Sequence, residues 1–183
     1  MDVNRVVLAI HGVRSSGEWG DALHAKLKAD PRFEGTLCLN IDYPWTMAVA
    51  GWFQAWWPWS RHTLTNWMER QLVRLQDEFN WVPMDVVCHS YGCWLLWHAI
   101  RRSYEHPTKT ISVRAIMMLG SVLHHDDPLL PMARGQIRRL VNFWSANDQV
   151  ALFAPPPFGH AGHVPLTAAL PGVENVGDCG MNH

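Results

Sequence analysis

The 183-residue chain lacks an excess of charge of either sign: fifteen Lys and Arg stand against sixteen Asp and Glu, a formal net charge of −1. That balance excludes the long-range attraction to phosphate backbones on which nucleic-acid binding rests, so no nucleic-acid partner is expected. Charged residues are few altogether, at 17% against 48% hydrophobic residues, which fits a packed core rather than a disordered segment. No stretch reaches the roughly 18 apolar residues that span a bilayer. Residues 1–12 show no basic region followed by an apolar run and a cleavage site, so a cytoplasmic protein without a leader is expected. The four cysteines, Cys38, Cys88, Cys93 and Cys179, form no C-x-x-C pair and read as free thiols rather than a disulfide framework.

Two further absences narrow the chemistry. Gly12 and Gly17 have the glycine spacing of a phosphate-binding loop, but Glu18 and Trp19 stand where lysine and Ser/Thr are required, which argues against nucleotide. His124-His125-Asp126-Asp127 and the pair His160/His163 contain metal-ligand residue types without a spacing that places them on one helix face. No metal and no cofactor are expected.

What is present is an alternation of strand-like and helix-like segments without repeats, of a length suited to one domain over 1–183. Arg-Val-Val-Leu-Ala-Ile (Arg5–Ile10) is an apolar, β-branched run closed by His11-Gly12, the pattern of a strand buried on both faces of a parallel sheet. Further strands are expected at 36–42, 84–88, 113–119, 140–144 and 173–176, and helices at 21–29, 63–80 and 91–104. Such alternation predicts an α/β fold, a mainly parallel sheet with right-handed crossovers and helices on both faces, a three-layer αβα sandwich. Tryptophan is abundant, with eleven residues, six of them between Trp45 and Trp67.

The strand expected at 84–88 meets the helix at Tyr91 through Cys88-His89-Ser90-Tyr91-Gly92, a variant of G-x-S-x-G in its required strand-turn-helix context. A serine on such a turn is held in strained backbone geometry above the sheet, with a helix N-terminus behind it that favours negative charge. Both features suit a nucleophile that generates an oxyanion, although a serine at a helix start is also an ordinary N-cap. Cys88 stands in place of the first glycine; it is small, so the departure is mild. His89 reads as a packing or hydrogen-bonding residue beside the turn.

With His11-Gly12 closing the first strand and this elbow later, the chain resembles the α/β-hydrolase superfamily, in particular small bacterial lipase-like and esterase-like serine hydrolases, over nearly its whole length. The resemblance implies six strands in the order 2-1-3-4-5-6 and a triad in the chain order serine, acid, histidine. It places the acid at Asp148, in the loop after the fifth strand, with Asp126 and Asp127 as fallback. It places the base at His183, after the sixth strand, with His160 and His163 as alternatives that would need a long loop to reach Ser90. It assigns the oxyanion hole to the backbone N–H groups of Val13 and Tyr91, and places His11 and Gly12 against the substrate. The tryptophan-rich stretch 44–62 falls where the family inserts a cap or lid. Trp52, Trp56 and Trp57 would wall an acyl pocket, with plain packing and a membrane or partner surface as other uses of the same rings. Arg14 and Arg61 would reach an anionic group beside that pocket.

The implied activity is hydrolysis of a small carboxylic ester with an apolar acyl group through an acyl-enzyme, and thioester hydrolysis or acyl transfer would use the same residues. The rival from another class is a non-enzymatic binding module on a hydrolase scaffold, with the tryptophans as its contact surface. Oligomeric state stays open.

Overall fold

In the computed structural model, which describes residues 3–12, 18–43, 58–104, 110–154 and 156–177, Arg5–Ile10 forms the strand β1 with Val6 to Ile10 all buried. The helix α1 (Glu18–Ala29) leads through a 3-10 turn at Pro31–Phe33 into β2 (Thr36–Ile41). The long helix α2 (Pro58–Glu78) then precedes β3 (Met84–His89), which passes at once into α3 (Tyr91–Ser103). The strand β4 (Val113–Leu119), the one-turn helix α4 (Leu130–Ala133), β5 (Ile137–Phe143), the one-turn helix α5 (Gln149–Leu152) and β6 (Val173–Val176) complete the order. All strands are parallel, and they lie in the order β2-β1-β3-β4-β5-β6.

The sheet's two faces are covered unequally. Strand alternation puts Val6, Leu8, Ile10, Met84, Val86, Cys88, Ile116, Met118 and Leu140 on one face, and all of these are buried in the main core with α2 and α3. α3 is buried almost all round: every residue except His98, Arg101 and Arg102 is inaccessible. α2 contributes Leu64, Met68, Leu72 and Gln76, four buried positions at a spacing of four residues that fall on one stripe of the helix. The opposite face carries Val7, Ala9, Val87, Met117 and Val141. Val7 and Ala9 are buried, and α1 approaches so closely that a side chain at Gly20 would meet the Ala9 Cβ at 3.3 Å and overlap the Asn40 carboxamide. Beyond α1 the cover is patchy: Met117 is 43% exposed in the middle of β4 and Val176 on β6 is 37% exposed, whereas Val141 on β5 between them is buried.

Several boundaries differ from the sequence reading. α1 begins at Glu18 rather than 21, and α2 at Pro58 rather than 63, so the last five residues of the expected cap stretch 44–62 are helical. β5 begins at Ile137, paired with Val113 of β4, rather than at 140; Arg138 and Arg139, which hid the strand in the sequence, are exposed, and Arg139 pairs with Glu174 of β6 at 3.0 Å. The one-turn helices α4 and α5 are too short to show a period. Among the described residues no helix is long and apolar enough to cross a membrane.

Candidate active site

At the end of β3 the backbone turns through Ser90 with φ 53° and ψ −124°, a sparsely populated conformation for any residue bearing a Cβ. Two hydrogen bonds hold it there: the Ser90 N–H donates to the Leu119 carbonyl at 2.9 Å, and the Cys93 N–H donates to the Ser90 carbonyl at 3.0 Å. The Ser90 hydroxyl makes no capping bond to α3, so the ordinary N-cap role is not the one it plays. Gly92 is required by packing, since a Cβ there would lie 2.5 Å from the His11 carbonyl oxygen and 2.9 Å from that of Ile10. Gly12 is required likewise: its Cβ would lie 2.9 Å from the Ser90 Cβ and 3.4 Å from the Ser90 Oγ. The end of β1 is thereby pressed against the serine from one side and α3 from the other.

Cys88, the residue in place of the motif's first glycine, fits because its thiol lies in the core beneath the turn. It is fully buried, next to Cys93, and burial first, then the neighbouring Cys93 thiol, pushes its pKa up, so it is an inert packing thiol. Cys38, Cys88 and Cys93 are all free thiols, and Cys179 lies outside the described residues.

His11 has three partners. Its Nδ1–H donates to the Gly12 carbonyl at 2.7 Å, its ring stacks on Tyr43 with centroids 4.4 Å apart, and its Nε2 lies 3.6 Å from the Asp42 carboxylate. Tyr43 closes the arrangement, its hydroxyl donating to the His11 carbonyl at 2.6 Å. Burial pushes the Tyr43 hydroxyl far above its usual range, so it stays a donor at any physiological pH. Tyr91, at the first position of α3, is buried, stacked on Trp94 with centroids 5.7 Å apart and edge-on to Phe158 at 5.7 Å. Tyr43, Tyr91, Trp94 and Phe158 thus form an aromatic floor under the elbow, drawn from three separate segments. Sequence reasoning missed it, because the signal it followed was the tryptophan density at 45–67.

Asp148 lies beyond the end of β5, two strands from β3 in the sheet, which sets the strand ends roughly 10 Å apart, a gap that one imidazole and its hydrogen bonds can bridge. The carboxylate is buried; its Oδ1 accepts from the Ala151 N–H at 2.9 Å and so caps α5. The fallback acids are otherwise engaged or placed: Asp127 Oδ1 accepts from the N–H of Leu129, a residue with φ 49°, and Asp126 is exposed.

The segment that carries the histidine alternatives packs against the ends of β4 and β5. Gly162 packs on Gly120 and Ser121 at the end of β4, and the Ser145 N–H donates to the Gly162 carbonyl at 2.9 Å, which ties the 159–163 segment to the loop that carries Asp148. His160 hydrogen-bonds through Nδ1 to the Ala151 carbonyl at 3.0 Å rather than to a carboxylate. His163 holds a buried Nδ1 with no hydrogen-bond partner among the described residues. His183, Val13, Trp52, Trp56 and Trp57 lie outside the described residues, as does most of the 44–62 stretch; Arg14 and the Arg61 side chain do too. Among the described residues no three His, Cys, Asp or Glu side chains are grouped to hold a metal ion.

Comparison with solved structures places this geometry in context. The chain superposes on the product of the lin2722 gene of Listeria innocua with a TM-score of 0.55 at 11% identity, covering 98% of this chain and 87% of that one. It superposes on the esterase domain of a Rhodothermus marinus protein with a TM-score of 0.52 at 13% identity, covering 100% of this chain and 78% of that one. No protein-family profile and no curated protein matches the sequence. The six-stranded parallel sheet in this order, with helices on both faces and the strained serine turn after β3, is an α/β-hydrolase-like fold.

Proposed function

We propose that the chain is a serine hydrolase that cleaves carboxylic esters with an apolar acyl group. The observation that carries this reading is the conformation of Ser90, strained and pinned between Gly12 and Gly92 where no structural role as a helix cap explains it. In this scheme a histidine takes the Ser90 proton as the hydroxyl attacks the ester carbonyl, and Asp148 holds the imidazole tautomer and stabilises the imidazolium. The Tyr91 N–H, at the positive end of the α3 dipole, and the Val13 N–H stabilise the tetrahedral oxyanion. His11 acts one step removed: its bond to the Gly12 carbonyl orients the planar Gly12–Val13 peptide, and with it the second oxyanion donor. Loss of the alcohol leaves an acyl-Ser90, and water activated by the same histidine releases the acid. Trp52, Trp56 and Trp57 would line the acyl side of the cleft.

His183 is the proposed base. A second assignment, His163, is favoured by its buried, unpartnered Nδ1 in a segment tied to the Asp148 loop. Labelling with a fluorophosphonate probe and peptide mapping test the whole reading. Adduct at Ser90, lost in Ser90→Ala, supports an activated serine; a folded protein that takes no label overturns it in favour of a binding module. Parallel labelling of His183→Ala and His163→Ala separates the two bases, since only loss of the true base slows the reaction by orders of magnitude. Hydrolysis rates on oxygen esters and thioesters of matched chain length then define the acyl donor class.

A further inference from the structure

The close approach to Ser90 forbids a Cβ at position 12, yet glycine, for lack of one, is the residue that rotates most freely about φ and ψ. A donor on the peptide that follows Gly12 serves an oxyanion only if that freedom is removed, because the donor has to be in place before the charge develops. Both peptides that flank the Gly12 Cα are held from outside. The His11 carbonyl, in the peptide before it, accepts from the Tyr43 hydroxyl at 2.6 Å. The Gly12 carbonyl, in the peptide after it, accepts from the His11 Nδ1–H at 2.7 Å. Each peptide is planar, so holding both carbonyls restrains the two dihedrals at Gly12.

Tyr43 stands behind both bonds. Its hydroxyl makes the first, and its ring backs the imidazole that makes the second, stacked on it with 20° between the planes. Parallel pairing brings it there: Ile10 of β1 is in register with Ile41 of β2, so Gly12 and Tyr43, each two residues further on, leave the sheet at the same level. Tyr43 is 3% exposed and meets Tyr91, whose N–H is the other proposed donor, edge-on with centroids 6.3 Å apart. Asp42 faces the remaining nitrogen of His11 at 3.6 Å, but its side chain is 71% exposed, and so solvated a carboxylate holds a ring only weakly.

We propose that Tyr43 is a positioning residue for ester hydrolysis: by holding the His11 carbonyl and the His11 ring together, it locks the Gly12 turn in the conformation that receives the oxyanion. It acts through the turn and not on the substrate. The inference rests on the proposed hydrolase reading and deepens it, adding to the Ser90 turn and the end of β1 a residue supplied by β2.

The test is steady-state hydrolysis of p-nitrophenyl butyrate by the whole chain and by Tyr43→Phe, which keeps the ring and removes only the hydroxyl. Acylation and deacylation both pass through an oxyanion, so kcat is expected to fall about tenfold with KM nearly unchanged, less than the roughly hundredfold or more that follows outright removal of an oxyanion donor. The inhibition constant of phenylboronic acid, which forms a tetrahedral adduct on a reactive serine, is expected to rise by a similar factor. Ile111→Val, a core change before β4 at the opposite edge of the sheet, is expected to lower stability and leave kcat alone. Asp42→Asn is expected to lose far less than Tyr43→Phe, and as a surface change it stands even where Tyr43→Phe does not fold. A wild-type chain that takes no fluorophosphonate label at Ser90 ends the hydrolase reading and this one with it. A wild-type chain that labels at Ser90, combined with an unchanged kcat in Tyr43→Phe, an effect confined to KM, or a tenfold loss in Asp42→Asn, overturns the role of Tyr43 alone.

Discussion

The two faces of the sheet use similar side chains to different ends. On the α2/α3 face, Leu8, Val86, Ile116 and Leu140 are sealed, and the helix behind them is itself buried on nearly all sides. On the α1 face, cover is uneven: Val7 and Ala9 on β1 and Val141 on β5 are buried, while Met117 on β4 between them stands 43% exposed. Folding stability therefore concentrates on one side, and the Ser90 turn belongs to that side, since it joins a central strand to the most buried helix. The proposed nucleophile would thus rest on the most deeply packed part of the molecule, as precise positioning requires.

Substitutions can break or sharpen this contrast. Leu8→Ala on the sealed face should have the largest effect, about 2–5 kcal/mol in urea unfolding, through lost transfer energy and the cavity left in a packed core. Gly20→Ala should come next. The helix gains roughly 1 kcal/mol from alanine, but the new methyl overlaps the Asn40 carboxamide, which is held by its bond to Asp21 at 2.8 Å; overpacking of about 1–3 kcal/mol leaves a net loss near 1 kcal/mol. Met117→Ala should lie within about 0.5 kcal/mol of wild type. A Met117 variant as damaging as Leu8→Ala would show that the second face is sealed in solution.

The smallest effect is a pH dependence confined to α1. Burial, outweighing the attraction of Asp21, lowers the His24 pKa below its usual 6.5. The unfolded chain then binds the proton more readily than the folded one, so stability is unaffected well above pH 6.5 and falls as the pH drops through and below that value. Hydrogen exchange should show α1 amides losing protection on acidification while α3 amides do not. His24→Asn should flatten the profile.

The parts of the molecule that were legible in the sequence are those fixed by neighbours in the chain. The strands and the elbow followed from local signals, an apolar run, a turn, a serine between small residues, whereas the strand order came from the resemblance that those signals carry. The unequal cover was not legible, because Val-Arg-Ala-Ile-Met-Met-Leu reads as a strand without telling which of its apolar residues the distant segments of the chain cover, and Met117 is left 43% exposed. Nor was the place of His160 and His163, which is set by Gly159 packing on His124 and Gly162 on Gly120. The aromatic floor escaped for the same reason, being assembled from Tyr43, Tyr91, Trp94 and Phe158 across more than a hundred residues of chain.

The positive φ at Ser90 has a consequence for anyone improving this protein. Glycine adopts that conformation without steric strain, so a selection for heat resistance alone would reward Ser90→Gly, and under the proposed function would deliver a sturdier, inert molecule. On that reading robustness and reactivity compete at a single backbone angle, and a useful screen has to read both at once.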